Sequence, residues 1–404
     1  MMVGGAFRPV ADTGSAMTDV ATARTSLLDR SAGQALGREI AEQLSGGQPD
    51  AVVVFASSLN DYPTLLRALD ESCRPRLMIG CSSAGEFTSD GAGQGMSCVI
   101  AFRSPELKFS AALGQGIRDD HTAAVGQVVQ QFVGLESHDY RYRTALVLVD
   151  ALAGHADGLV EELTIRTAGT YQFFGGGAGD DAKFLNTHVF HGTDAYQDAV
   201  VALEILSNKP IGIGVRHGWQ PASAPMRVTD ADAGHLVSLN AIPAAEVFGE
   251  HAIATDQAFD QSDPLPFFLH NIIGVQAEGG HRLRVPLGLA GDGAVLCAAA
   301  VPAGVTACIM STSNVSAAEA ATAAAREALG QLGRHRPKAA IFFDCVATRL
   351  RLGNADFGRE LAAVSAELGP VPFVGCNTHG QIARAEGQFS GFHNCTAVVC
   401  VIPE

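Results

Sequence analysis

The sequence predicts an α/β protein, mixed α+β in detail, with two related halves whose mixed parallel and antiparallel sheets are flanked by helices. Three observations predict it. First, Gly80-Cys81-Ser82-Ser83-Ala84-Gly85-Glu86-Phe87 and Gly375-Cys376-Asn377-Thr378-His379-Gly380-Gln381-Ile382 share one pattern: glycine, cysteine, two polar residues, a variable residue, glycine, an acid or amide, and an apolar residue. Second, each stretch follows one short apolar run and precedes another, and chance rarely repeats a motif together with its flanks. Third, a weaker copy lies between them, where Phe173-Phe174-Gly175-Gly176-Gly177-Ala178-Gly179-Asp180 ends in the same alanine-glycine-acid order as Ala84-Gly85-Glu86. The recurring unit is strand, helix, strand, glycine turn, returning strand. A cleft between or within the units is where function is sought.

The elements follow in order. Residues 1–25 read as a loose leader that carries Asp12 and Asp19 and lacks the apolar centre of a signal peptide. Ser26–Leu44 has helical apolar spacing. Ala51–Ala56 is a buried strand, Tyr62–Cys73 the crossover helix, and Ser97–Phe102 a returning strand. Ala145–Asp150 and Gly158–Thr167 give the strand and helix of the weaker copy. Two apolar runs follow at His188–Phe190 and Ala199–Leu203, then Pro210–Trp219 with the single tryptophan. The Pro- and Ala-rich stretch Gln220–Pro225 marks a boundary, giving an N-terminal domain over 26–224 and a C-terminal one over 225–404. Ile242–Ala252 and the alanine-rich stretch to Leu332 are helices, the second opened by the capping box Ser316-Ala317-Ala318-Glu319. Ala339–Cys345, Asp356–Leu368 and Thr396–Ile402 complete the last unit.

Composition bounds the function. Apolar residues make up 47% of the 404 and charged residues only 17%, which suits well-buried cores. A net charge of −15 opposes nucleic acid and anionic membranes as partners. The uncharged stretch 293–310 is split by Pro302-Ala303-Gly304, so two strands, Ala294–Val301 and Val305–Met310, fit better than a membrane span. The expectation is a cytoplasmic protein. Nine cysteines occur without a C-x-x-C pair and sit mostly in apolar runs, where cysteine behaves as a small hydrophobe.

Catalytic and metal motifs are scarce. Gly80-Cys81-Ser82-Ser83-Ala84 approaches the nucleophile elbow of hydrolases, but its fifth residue is alanine and no helix follows. A hydrolase or transferase using Cys81 or Ser82 is thus a weaker alternative to a structural turn. Gly175–Gly179 lacks the Lys-Ser/Thr of a phosphate loop and runs into Asp180-Asp181. No compact multi-histidine motif exists, whereas haem iron needs only one neutral imidazole in an apolar pocket. His188, His191, His217, His379 and His393 are candidates, each also open to a surface or core role. His217 stands beside Trp219 near the domain boundary and is the preferred ligand, with His379 second.

Together these points resemble the FIST family, a sensory ligand-binding module with N- and C-terminal parts. The resemblance rests on the order of G-C-S-S-A-G-E at 80–86, F-G-G-G-A-G-D at 174–180, H-G-W at 217–219 with V-T at 228–229, Pro243-Ala244-Ala245, G-C-N-T-H-G-Q at 375–381 and H-N-C-T at 393–396. It covers the chain from about Ala51 onward. Gln381 departs from the acid usual at that turn, which weakens any role for it in holding an amine or metal. The family implies a non-catalytic sensor of a small ligand such as an amino acid. Its stand-alone haem-binding, nitric-oxide-sensing subgroup implies haem, a gas ligand, and a partner histidine kinase or cyclic-di-GMP turnover enzyme. Under that resemblance a haem would contact His217, Trp219, His379 and His393, with His217 on the metal. A small ligand would meet Gly80, Cys81, Ser82, Gly85, Glu86, Gly177, Gly179, Asp180, Gly375, Asn377 and Gly380.

Overall fold

Three times along the chain an apolar, β-rich run is joined through a helix to a second one, the pattern of parallel strand pairs buried on both faces. The computed structural model describes residues 18–277, 280–385 and 391–404. The first unit comprises β1 (Asp19–Thr25), α1 (Asp29–Gln43), β2 (Ala51–Ser57), α2 (Tyr62–Cys73), β3 (Met78–Ser83), the hairpin β4 (Glu86–Thr88) and β5 (Gly91–Gly93), and β6 (Ser97–Arg103). The second repeats it with β7 (Lys108–Gln115), α3 (Ile117–Val129), β8 (Tyr142–Val149), α4 (Ala156–Arg166), β9 (Gln172–Gly177), β10 (Val189–His191), β11 (Asp194–Tyr196) and β12 (Ala199–Ser207). The third opens with β13 (Gly212–Arg216) and is then interrupted by an inserted domain. That domain holds β14 (Gln220–Pro221), β15 (Met226–Asp232), β16 (His235–Leu239), β17 (Ile242–Pro243), α5 (Ala244–Ala254), α6 (Leu265–Phe268), β18 (Ile272–Ala277), β19 (Gly280–Arg284), β20 (Pro286–Leu289), β21 (Val295–Cys297) and β22 (Thr306–Ser311). The unit resumes with α7 (Asn314–Gln331), β23 (Pro337–Cys345), α8 (Val346–Leu368), β24 (Phe373–Thr378), β25 (Gln381–Arg384), β26 (Gly391–His393) and β27 (Ala397–Pro403).

The mixed α/β class and the related parts are as expected, and the weaker middle copy is a full third unit, although its ladder sets Gly179 against Ala84, one residue off the expected alanine-glycine-acid match. In the three parallel ladders Val54 pairs with Gly80, Val147 with Gly175 and Phe342 with Gly375, so the glycine turns are equivalent. A Cβ on those glycines would lie 2.1, 1.9 and 2.0 Å from the carbonyl oxygens of Val54, Val147 and Phe342. Only glycine permits that approach.

The hairpins after the turns do not stay with their own units. The sheet orders are β1-β6-β2-β3-β10-β11, β7-β12-β8-β9-β25-β26 and β13-β27-β23-β24-β4-β5. Unit one therefore closes the sheet of unit three, unit two closes that of unit one, and unit three closes that of unit two. The inner faces of the three sheets form one apolar centre, with Phe55, Leu148 and Phe343 at matching register and Ile79, Phe174 and Val374 in the next layer. Helices cover the outer faces: α1 and α2, α3 and α4, α7 and α8. The inserted domain has its own core, including Val228, Phe248, Phe268 and Ile309.

Several expectations need correction. The leader does not extend to residue 25, because Asp19–Thr25 pairs antiparallel with β6; residues 1–17 lie outside the described residues. The cap of α7 is Ser313, whose hydroxyl accepts from Ser316 N at 3.1 Å, not Ser316. α8 starts ahead of Asp356, with a break at Gly353 where φ is 67°. The stretch 293–310 does give two strands, β21 and β22, but they pair with different partners. Residues 224 and 225 do not part the sheets, since β13 precedes them yet pairs with β27. Among the described residues no helix is long and apolar enough to cross a membrane.

Candidate functional site

The three glycine turns meet at the end of the central core. Ala84 N donates to Asn377 O at 2.9 Å, His379 N to Gly177 O at 3.0 Å, and Gly179 N to Ser82 O at 2.8 Å, one bond from each unit to the next. Asn377 N to Gly85 O and Gly177 N to Gly380 O repeat a second bond at 2.8 and 2.9 Å. In the remaining position Ser82 N bonds His188 O instead, because unit two carries an extra loop over residues 181–188 ahead of β10.

Most of the residues singled out in the turns serve this frame. Ser83 Oγ donates to Glu86 Oε1 at 2.5 Å and Met96 N to Glu86 Oε2 at 3.0 Å. Burial outweighs those bonds and lifts the Glu86 carboxyl to about 8. Gln381 occupies the matching place: its Nε2 donates to Thr378 Oγ1 at 2.9 Å and its Oε1 accepts from Thr396 N at 3.2 Å. A protonated acid and an amide thus fill one role. Cys81 and Cys376 are buried in the central core. Ser82 Oγ accepts from His188 N at 2.9 Å and is buried, which offers no exposed nucleophile. Asn377 Oδ1 accepts from Arg349 Nη1 at 2.9 Å.

One turn position breaks the symmetry. Ala84, Gly179 and His379 are equivalent, and only His379 carries a polar side chain. Its ring stacks on Phe184 at 4.3 Å and 14°, and Nε2 lies 3.5 Å from Asp180 Oδ1. Among the described residues neither ring nitrogen has a hydrogen-bond partner. Burial lowers its pKa to about 4, against the opposing pull of Asp180, so the imidazole is neutral at physiological pH. An unpaired buried polar atom costs about 1–3 kcal/mol.

The extra loop is held rigidly over this ring. Asp180 Oδ1 accepts from Phe184 N at 2.8 Å, and Oδ2 accepts from Leu185 N and Asn186 N at 2.6 and 2.9 Å. Asp181 Oδ2 accepts from Ser57 Oγ, Ser58 N and Ser58 Oγ. These bonds offset left-handed backbone at three non-glycine residues, Asp181, Ala182 and Phe184, with φ of 56, 60 and 55°.

His379 lines a cavity of about 70 Å³ at the carboxyl ends of β8 and β23, where ligands of open α/β sheets collect. Leu152 and Val346 form part of its floor, Phe184 a side, and Val285 and Leu287 of the inserted domain its roof. The roof is latched to the core. Arg284, nearly fully buried, donates to Asp157 Oδ2 at 2.8 Å, Ala300 O at 2.8 Å and Phe392 O at 3.2 Å, and Val285 N donates to Asn394 Oδ1 at 3.3 Å. Cys345 also lines the cavity. A hydrogen bond from the Cys395 thiol lowers Cys345 to about 6 despite burial, and the same contact raises Cys395.

His217 and Trp219 are elsewhere, at the stalk of the inserted domain. Trp219 N donates to His217 Nδ1 at 3.3 Å, and Arg351 lies over the indole at 5.6 Å. The space there is about 10 Å³, room for one water, and Asp344, Arg351 and Glu360 line it. Burial raises both carboxyls, Glu360 to about 7. His393 is buried and pairs in register with Gln381. Haem does not fit at His217, where the walls are charged and the space is that of a water. Nor does it fit beside His379, where about 70 Å³ falls below the ~300 Å³ of ordinary ligand pockets. Among the described residues no group of three His, Cys, Asp or Glu side chains is placed to share a metal ion. The sequence pointed to His379 but not to its surroundings: Phe184 and the inserted domain come from remote segments with no motif of their own.

Family models described as FIST N domain and FIST C domain match residues 50–242 and 244–384. No curated protein matches the chain. Among solved structures, one described as "Structure of PurLQS from Thermotoga maritima" aligns over 97% of this chain and 74% of its own at 12% identity, with a TM-score of 0.24, too low to carry an argument.

Proposed function

The chain belongs to the FIST family of sensory ligand-binding domains, and from that premise we propose that it senses a small organic molecule in the cavity beside His379. One observation carries this reading. The three departures from threefold regularity (the loop 181–188, the histidine at 379 and the inserted domain) converge on one cavity, contributing Phe184, His379 and Val285. A fold that needed only stability would have no reason to gather them. Ligand binding would tighten the inserted domain on the core and alter a surface read by a partner, for which the resemblance offers a histidine kinase or a cyclic-di-GMP enzyme. The role is non-catalytic in this proposal, because Cys81 and Ser82 are buried in the frame.

The test is a thermal-shift and ligand-observed NMR screen of small organic molecules on the full chain, repeated on Val285→Trp and His379→Phe. A ligand at a hundred times its Kd should stabilise by about 2.7 kcal/mol, and both variants should lose the shift. Hits that survive both substitutions would move the site elsewhere. A Soret band in protein purified with haem supplied, retained by Val285→Trp, would replace this reading with the haem one.

A further inference from the structure

The cavity walls select among ligands, on the premise that the cavity is the ligand site. Its polar lining is uncharged apart from Asp180 behind the ring: His379 offers a ring nitrogen, and Asn394, whose Oδ1 is taken by Val285 N, offers its amide Nδ2 as a donor. Asp180 Oδ1 faces His379 Nε2 at 3.5 Å and favours the tautomer with the proton on Nε2, leaving Nδ1 as a lone pair with no partner among the described residues. None of the described residues lining the cavity is lysine or arginine. Outside the lining, Arg284 is held by Asp157 and two carbonyls, and both terminal nitrogens of Arg349 by Asn377 and Gly93 O. A buried carboxylate or phosphate would find no counter-charge, and an unpaired buried anion is strongly disfavoured. Size sets a further limit. A water needs roughly 10–15 Å³, so about 70 Å³ holds about five waters, or a molecule with a similar number of non-hydrogen atoms.

We infer that the ligand is a small acid-free molecule, an alcohol, amide or amine, that donates a hydrogen bond to His379 Nδ1 and packs its carbon body against Phe184, Val285 and Leu287. Free amino acids are excluded by their carboxylate, and all but the smallest also by size.

Probes with and without a carboxylate test this on the full chain: propanamide against the isosteric propionate, and propylamine against alanine. Binding is read by the ¹⁵N resonance of His379 Nδ1 and by titration calorimetry. Propanamide and propylamine should bind at least about tenfold more tightly than their acid-bearing counterparts and move the Nδ1 resonance. His379→Gln, which keeps an acceptor, should retain part of the affinity that His379→Phe loses. Propionate or alanine binding as tightly, with binding still abolished by Val285→Trp or the milder Ala298→Leu, would overturn the ligand class and leave the cavity as the site. Binding of every probe unaffected by those fillings would overturn the site itself. An Nδ1 resonance that no probe moves would show that the cavity holds water alone, and the inference would fail.

Discussion

In the first unit the residue after Ser83 is Ala84, and in the third the residue after Thr378 is His379. Around those two positions the turns match closely. Ser83 and Thr378 both bond the side chain three residues on, Glu86 in one and Gln381 in the other, and that side chain also takes a backbone N–H from the returning segment, Met96 or Thr396. Glycine follows at 85 and 380 with φ of 149 and 115°. The frame is shared and one side chain is not. Ala84 packs against the backbone of Gly179, where a Cβ would lie 2.6 Å from Ala84 N, whereas His379 looks into a cavity. The comparison separates residues that build the turn from the one that uses it.

The first test of the shared frame is to crowd it. Gly80→Ala and Gly375→Ala each drive a Cβ into a backbone carbonyl that cannot step aside, so both should lose about 3 kcal/mol in denaturant unfolding. Gly85→Ala and Gly380→Ala meet Arg349 and the Phe392 ring and should lose about 1 kcal/mol or more. Equal melting of all four variants and the parent would dissolve the equivalence.

Exchanging the acid and the amide sharpens it. Glu86 has a folded-state pKa near 8, above the ordinary 4.5, so its contribution is full below pH 4.5 and is lost as pH rises through about 8. Glu86→Gln should match the parent below pH 4.5 and exceed it by roughly 4 kcal/mol at pH 9. Gln381→Glu should show the reverse, falling progressively above neutrality. Melting curves over that range decide; a Glu86→Gln variant that tracks the parent at every pH would show that the acid is not held neutral.

The last test belongs to the residue that differs. His379 is lowered from 6.5 to about 4, so its contribution is present above pH 6.5 and lost as pH falls through 4. His379→Phe keeps the stack on Phe184 and removes the titration, so its acid limb should be flatter than the parent's by roughly 3 kcal/mol at pH 4. An unchanged acid limb would mean that the ring is already charged or solvated there.

How much of this was legible in the sequence follows from where the information sits. α2 was readable to its ends because Asp61 caps it, Pro63 sits in its first turn and its apolar face repeats at helical spacing. The glycine turns were readable because close backbone approach leaves no other residue. β4 and β25 were not, since three- and four-residue strands carry little periodicity and their partners lie in other units, and β10 shows only as the apolar run His188–Phe190. β1 reads as leader because Asp19–Thr25 alternates only small and polar side chains around Val20. His217 stands out in the sequence only through Trp219, two residues on. His379 became a site only through Phe184 and Val285, which no local pattern ties to it.

The cyclic exchange of hairpins also bears on how the chain comes together. β3 is completed by β10, β9 by β25 and β24 by β4, so no unit can finish its own sheet. Two of these closures, β9 with β25 and β24 with β4, bring together segments about two hundred or more residues apart, the kind of long-range pairing that makes folding slow. Cut after the second unit, the chain would hold β9 with an open edge and β4–β5 with nowhere to dock, an invitation to pair with other copies. A single unit made as a separate polypeptide would satisfy its hydrogen bonds by assembling three copies in a ring, each lending its hairpin to the next. Joining the three in one chain frees each to diverge, which lets one turn of three carry a histidine.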